Sequence, residues 1–181
     1  MMYRFLFFAA LIIGTTVLLT SCFKEPTFDD VPFIAFKTTE YKKGAAGVKD
    51  SIIVSISFQD GDGDLGLNPN ETNPPFDQNG TDYFNYLADL YYETSPDHFE
   101  KYPFNSNLPN FYGRFPRLTP KSSDPDKPRP LEGTLIYGYE TSPGLNLLLG
   151  NKRIKFFIKM KDRALHQSNE IQTDPILVPP L

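Results

Sequence analysis

Cysteine occurs once in the 181 residues, at position 22, so the chain folds without an internal disulfide. Tryptophan is absent, and with it the broadest ring available for stacking on a sugar. The two histidines, His98 and His166, lie too far apart for the close ligand spacing of a zinc site. They suggest no Ser-His-Asp triad, and no G-x-S-x-G elbow occurs to present a serine nucleophile. Basic residues are outnumbered, 18 against 22 acidic, which argues against nucleic acid as a partner, since that needs a concentrated cationic face. No window holds the i, i+3, i+4, i+7 apolar stripe with caps that marks a long amphipathic helix. These absences point to a chain that is not an enzyme. One enzymatic alternative stays open, a glycan-acting hydrolase, because carboxylates are plentiful and their separation in space is not visible in a sequence.

What is present begins with an apolar run. Residues 5–19 (FLFFAALIIGTTVLL) follow the single charge of Arg4. At about 15 residues the run falls short of the roughly 20 needed to span a bilayer, and it reads as the apolar core of a signal peptide. It ends in Leu19-Thr20-Ser21-Cys22, which resembles the lipobox of bacterial lipoproteins. The resemblance implies that residues 1–21 are a signal peptide and that Cys22 carries the lipid. Residues 22–30 are then an acylated tether, and residues 31–181 a single domain. The alternative is an ordinary signal peptide followed by an unrelated cysteine. Lys24-Glu25 just past the cysteine resembles the surface-export signal of some Gram-negative lipoproteins, which implies the outer membrane and its outward face, with the periplasmic face as the alternative. Removing the leader takes away one basic residue and no acid, so the mature chain is one unit more negative than the −4 of the whole.

The mature part alternates. Ile52, Val54, Ile56 and Phe58 face one way within residues 51–59, and Ile154, Phe156, Ile158 and Met160 do so within 153–161. Such alternation is that of half-buried strands. Further strands are expected over 33–39, 84–93, 134–140 and 170–177, with a helix over 82–93 as the competing reading of the second of these. About seven short strands without long helices predict an all-β, antiparallel, immunoglobulin-like sandwich. Residues 95–130 hold eight prolines and are expected to be a mostly irregular insertion. The ten aromatics of residues 84–115 suit either core and loop packing, the favoured reading, or a surface that meets a glycan or an envelope protein.

The most informative stretch follows the first clear strand: Asp60-Gly61-Asp62-Gly63-Asp64-Leu65-Gly66-Leu67-Asn68-Pro69-Asn70-Glu71. Carboxylates at alternate positions, with glycines that let the backbone curl, converge only if a cation neutralises them, and hard oxygen ligands point to Ca²⁺. Asp60, Asp62, Asp64, Asn68 and Glu71 fall at positions one, three, five, nine and twelve of an EF-hand spacing. Leu65 stands where that loop needs glycine, and a strand replaces the entering helix, so the expectation is a calcium-binding β-loop and no EF-hand proper. A plain Asp/Gly turn joining two strands is the alternative. In an immunoglobulin-like sandwich the loop after the second strand and the last hairpin emerge at one end. Asp162 and Asn169 of that hairpin are therefore candidate ligands as well, unless they only stabilise their own turn.

The pairing of DGDGDLG (residues 60–66) with a closing DRALHQSNEIQT (162–173) resembles a group of uncharacterised Gram-negative surface lipoproteins. The second piece is similar to the final hairpin of bacterial immunoglobulin-like domains, often D-x-A-G-N-x-S. Leu165 and His166 replace its Gly and Asn. The likeness implies a fold and a location without an activity. The expectation is a lipid-anchored, calcium-stabilised binding or structural module, held to the membrane by its lipid, with the Pro/aromatic segment turned to a glycan or envelope protein.

Overall fold

The computed structural model describes residues 26–103, 110–118 and 129–180. Cys22, the leader, Phe104 and parts of the 95–130 insertion lie outside them. The described chain is an all-β sandwich of two antiparallel sheets with one short helix. The strands are β1 (Phe33–Lys42), β2 (Ser51–Asp60), β3 (Tyr86–Ser95), β4 (His98–Lys101) and β5 (Leu131–Glu140). Helix α1 (Pro143–Leu149) leads to β6 (Arg153–Met160), β7 (Ile171–Gln172) and β8 (Ile176–Leu177). One sheet has the order β1-β2-β5; the other is β4-β3-β6-β7, with β8 also on β6. First, second and fifth strands thus face third, fourth, sixth and seventh, whereas the constant-type immunoglobulin sandwich keeps its fourth strand with the first, second and fifth.

The alternation read from the sequence is the alternation observed. Ile52, Val54 and Ile56 of β2 and Ile154, Phe156, Ile158 and Met160 of β6 are all fully buried. No disulfide pins the sheets together, and an aromatic cluster does that work instead. Tyr86 stacks on Tyr137 at 4.3 Å, and Tyr139 of the first sheet lies parallel to Phe156 of the second at 5.7 Å. Phe111 and Phe115 of the insertion are buried in the same core. This part of the aromatic segment packs; it is not presented to solvent.

The strand expected over 84–93 is present and its helical alternative fails, while two local expectations need correction. Residues 82–93 hold no helix: the strand begins at Tyr86 and buries Tyr86, Ala88 and Leu90. Inside the insertion lies β4, formed because Pro96 and Asp97 (φ 59°) make a two-residue turn that returns the chain onto β3. Residues 170–177 form two short strands, since Pro175 has no donor for the ladder and the buried Thr173 hydroxyl accepts the Phe156 N–H. Helix α1 was not expected. It starts after Ser142 with Pro143 in its first turn and buries Leu145 and Leu149.

Candidate metal centre

The inward column of β2 does not stop at Phe58. The next inward position is Asp60, fully buried, so a carboxylate occupies what the alternation makes a core site. The inward column of β6 likewise runs on past Met160 to Asp162, which is 2 % exposed. The two sheets therefore each end a hydrophobic column in an aspartate, at the same end of the sandwich. An isolated bridge between Leu65 and Asp162 holds the two exit loops side by side. Asp60, Asp64 and Asp162 each place one carboxylate oxygen within 4.8 Å of the others.

Local turn chemistry aims these groups. Gly63 and Gly66 adopt φ of 70° and 93°, and a side chain at either would run into a backbone carbonyl, of Arg129 or Pro116 respectively. Leu65 between them is fully buried and donates its N–H to Asp60 Oδ2 at 3.1 Å. The glycine that an EF-hand needs at position six arrives one residue late because position six here is a core residue. Asp64 reaches the other loop and accepts the Arg163 and Ala164 N–H groups at 3.3 and 3.0 Å. Asp162 accepts the His166 N–H at 2.8 Å and meets His166 Nδ1 at 2.9 Å. Leu165, in the place of the expected glycine, takes φ 71°, the left-handed conformation that glycine suits.

The electrostatics leave one group unsatisfied. Burial, and then the charges of Asp62, Asp64 and Asp162, push the Asp60 carboxyl up to about 7. Burial and Asp64 likewise raise Asp162, while its hydrogen bond and charge raise His166. Asp60 Oδ1 is buried and has no hydrogen-bond partner. An orphaned buried oxygen is destabilising by about 1–3 kcal/mol unless something fills its lone pairs. Three hard carboxylate oxygens within 4.8 Å of one another fit Ca²⁺, which takes oxygen ligands in flexible geometry, and fit poorly to the nitrogen and sulfur preferences of Zn²⁺.

Of the remaining residues expected at the site, Asp62, Glu71 and Asn169 have side chains with other partners, and Asn68 is bonded through its backbone N–H and carbonyl. Asp62 Oδ1 accepts the Asp64 N–H at 3.3 Å in a local turn. The Glu71 carboxylate accepts the Asn68 N–H, and its Oε1 lies 3.8 Å from Arg163 Nε. Asn169 sits in the hairpin as expected, but its amide is engaged with Ile34, accepting the N–H and donating to the carbonyl at 2.8 Å each. Asn169 thus clips β1 onto the second sheet. Two organising residues gave no sequence signal. Arg114 donates to the carbonyls of Asn68, Glu71, Phe76 and Tyr83, pinning the long loop that follows the aspartates. His166, which the sequence places in the closing hairpin without a role, orients Asp162.

No protein-family model, curated protein or solved structure matches this chain. Among the described residues no helix is long and apolar enough to cross a membrane.

Proposed function

We propose that this is a lipid-anchored protein of the bacterial outer membrane, a non-enzymatic binding or structural module whose sandwich is closed by Ca²⁺ at its tethered end. Two observations carry the metal reading: Asp60, Asp64 and Asp162 each bring one carboxylate oxygen within 4.8 Å of the others, and Asp60 keeps a buried oxygen, Oδ1, without a partner. Asp60, Asp64 and Asp162 would each give an oxygen, with backbone carbonyls and water completing the six to eight that calcium takes. The ion would join the exit of β2 to the exit of β6, the two sheets that no disulfide connects. The same loop is stitched to the incoming chain, since Gly61 N–H donates to Asp29 O at 2.8 Å. Anchoring rests on the leader and Cys22, and the surface reading on Lys24-Glu25.

A hydrolase would need its carboxylates open to a polymer, and the burial of Asp60 and Asp162 disfavours that. Glycan or another envelope protein remains the partner class. Isothermal titration of the chelator-treated mature domain tests the site. Wild type is expected to bind about one calcium, with a Kd no weaker than the 10⁻⁴–10⁻³ M range of extracellular modules. Asp64→Asn is expected to bind at least about tenfold more weakly. Titration without heat or saturation in wild type would contradict the metal. In cells, Cys22→Ser is expected to move the protein from the membrane to the soluble fraction, and unchanged fractionation would contradict the anchor.

A further inference from the structure

On the outward face of the sheet β1-β2-β5, strand pairing sets the side chains in rows that cross all three strands. One row is Phe33, Gln59 and Glu132, and the next is Ala35, Ser57 and Thr134. The members of the second row are small, so the face sinks there. Register then slips between Phe36 and Thr38, and such a bulge re-aims a side chain. The residue at the slip is Lys37, whose side chain crosses over β2 and donates from Nζ to Thr134 Oγ1 on β5 at 2.9 Å. The result is a hollow of about 360 Å³, walled on one side by Phe33, Gln59 and Glu132 and on the other by Lys37.

The lining has hydrogen-bonding capacity to spare. Among the described residues no partner engages the side chains of Gln59 or Glu132, and both are exposed. Lys37 spends one ammonium proton on Thr134 and has no carboxylate partner. Phe33 is 54 % exposed and has no ring partner among the described residues. One cation and one carboxylate thus share the hollow without pairing. An anion here would meet Glu132, and a cation would meet Lys37, whereas hydroxyl groups donate to the first and accept from the second. The backbone of β2 is already used by its ladders to β1 and β5, which leaves the floor little to offer an extended peptide. A ring with an apolar face and a hydroxylated rim suits both the exposed phenyl and the polar groups around it.

We infer that this hollow is a binding site for one neutral pyranose unit of a glycan. Phe33 takes the apolar face of the sugar ring, Gln59 and Glu132 take hydroxyls on one side, and Lys37 donates to those on the other. The volume lies near the lower end of small-molecule sites, as a single sugar ring requires. The inference rests on the glycan half of the partner reading above and gives that partner a place. Gln59 points outward where the next residue, Asp60, points into the core, so the hollow and the aspartates open on opposite faces of β2.

The test follows backbone amide shifts of the mature domain, in buffer containing calcium. The titrants are methyl β-glucoside, methyl β-galactoside, methyl α-mannoside and N-acetylglucosamine, each to about 50 mM. Controls are glucuronic acid, glucosamine and glycerol. At least one neutral pyranoside is expected to shift the amides of Ser57, Gln59, Glu132 and Thr134 saturably, with a Kd below about 10 mM. Phe33→Ala and Gln59→Ala should each weaken that binding at least about tenfold, with melting temperature unchanged because both side chains are exposed. No saturable shift with any of the neutral sugars, or binding that Phe33→Ala leaves intact, would overturn the inference. So would equal shifts with glycerol, or tighter binding of glucuronic acid or glucosamine, which would assign the hollow to a charged ligand. Each of these failures leaves the calcium titration and the Cys22→Ser fractionation standing as separate tests of the metal and the anchor.

Discussion

Asp60 occupies a position that the pattern of β2 reserves for an apolar side chain, and its consequences are measurable. Its folded-state carboxyl lies at about 7 against an ordinary 3.8, so between these values the native state holds a proton that the unfolded chain has released. The contribution of Asp60 to the stability of the metal-free domain is therefore fully present below pH ~4 and is lost as pH rises through ~7. The raised Asp62, Asp162 and His166 add to this with the same sign. Melting in chelator is expected to fall between about pH 5 and pH 8, and a flat or rising profile would contradict the burial assigned to Asp60. Leu165 offers a second residue-scale test. A leucine held at φ 71° is strained and 45 % exposed, so Leu165→Gly should stabilise by about 0.5–1 kcal/mol, read as a higher urea midpoint at unchanged slope. At this scale the sequence was partly legible. Extending each alternation by one step past Phe58 and Met160 reaches Asp60 and Asp162, and the alternate aspartates point to Asp64. Spacing alone could not show that Asp62, Glu71 and Asn169 engage nearby N–H groups, because whether an oxygen faces a cavity or a nearby N–H depends on backbone curl. Here that curl is set by Leu65 entering the core.

Among the elements, the long strands were readable because burial on one face imposes a period of two over enough residues to be seen. β4 and α1 were not, being four and seven residues long. Their signals are punctuation: Pro96-Asp97 as a turn, and Ser142-Pro143 before Leu145 and Leu149. The loop between β2 and β3 is ordered without secondary structure because Arg114 gathers four of its carbonyls. Charge-assisted bonds of this kind contribute roughly 1.5–3 kcal/mol each in isolation and act here as one unit. Arg114→Met is expected to lower stability by about 2–3 kcal/mol and to open residues 68–83 to limited proteolysis, with β6 still protected from exchange. Loss of stability without local proteolysis would show that Arg114 acts on the fold as a whole. The clip from Asn169 to β1 was legible as a polar residue in the right hairpin, while its partner, 135 residues away in sequence, was not.

For the whole molecule, the tether, the aspartates and the lower end of β5 all belong to one end of the sandwich. Asp29 bonds to Gly61, and Leu131 pairs with Asp60. A cation at this end would rigidify the domain where it meets its anchor. The class of the fold was readable from patterning, because the sandwich follows from where the apolar faces lie. The cation is the central claim, and thermal melting of the mature domain at about pH 7.5, in chelator and then in calcium at ~100 times its Kd, tests it most directly. Linkage predicts that calcium stabilises wild type by about 2.7 kcal/mol and leaves Asp60→Asn, which melts no lower than wild type in chelator, unmoved. Equal melting of wild type with and without calcium, or an equal calcium response in Asp60→Asn, would contradict the account.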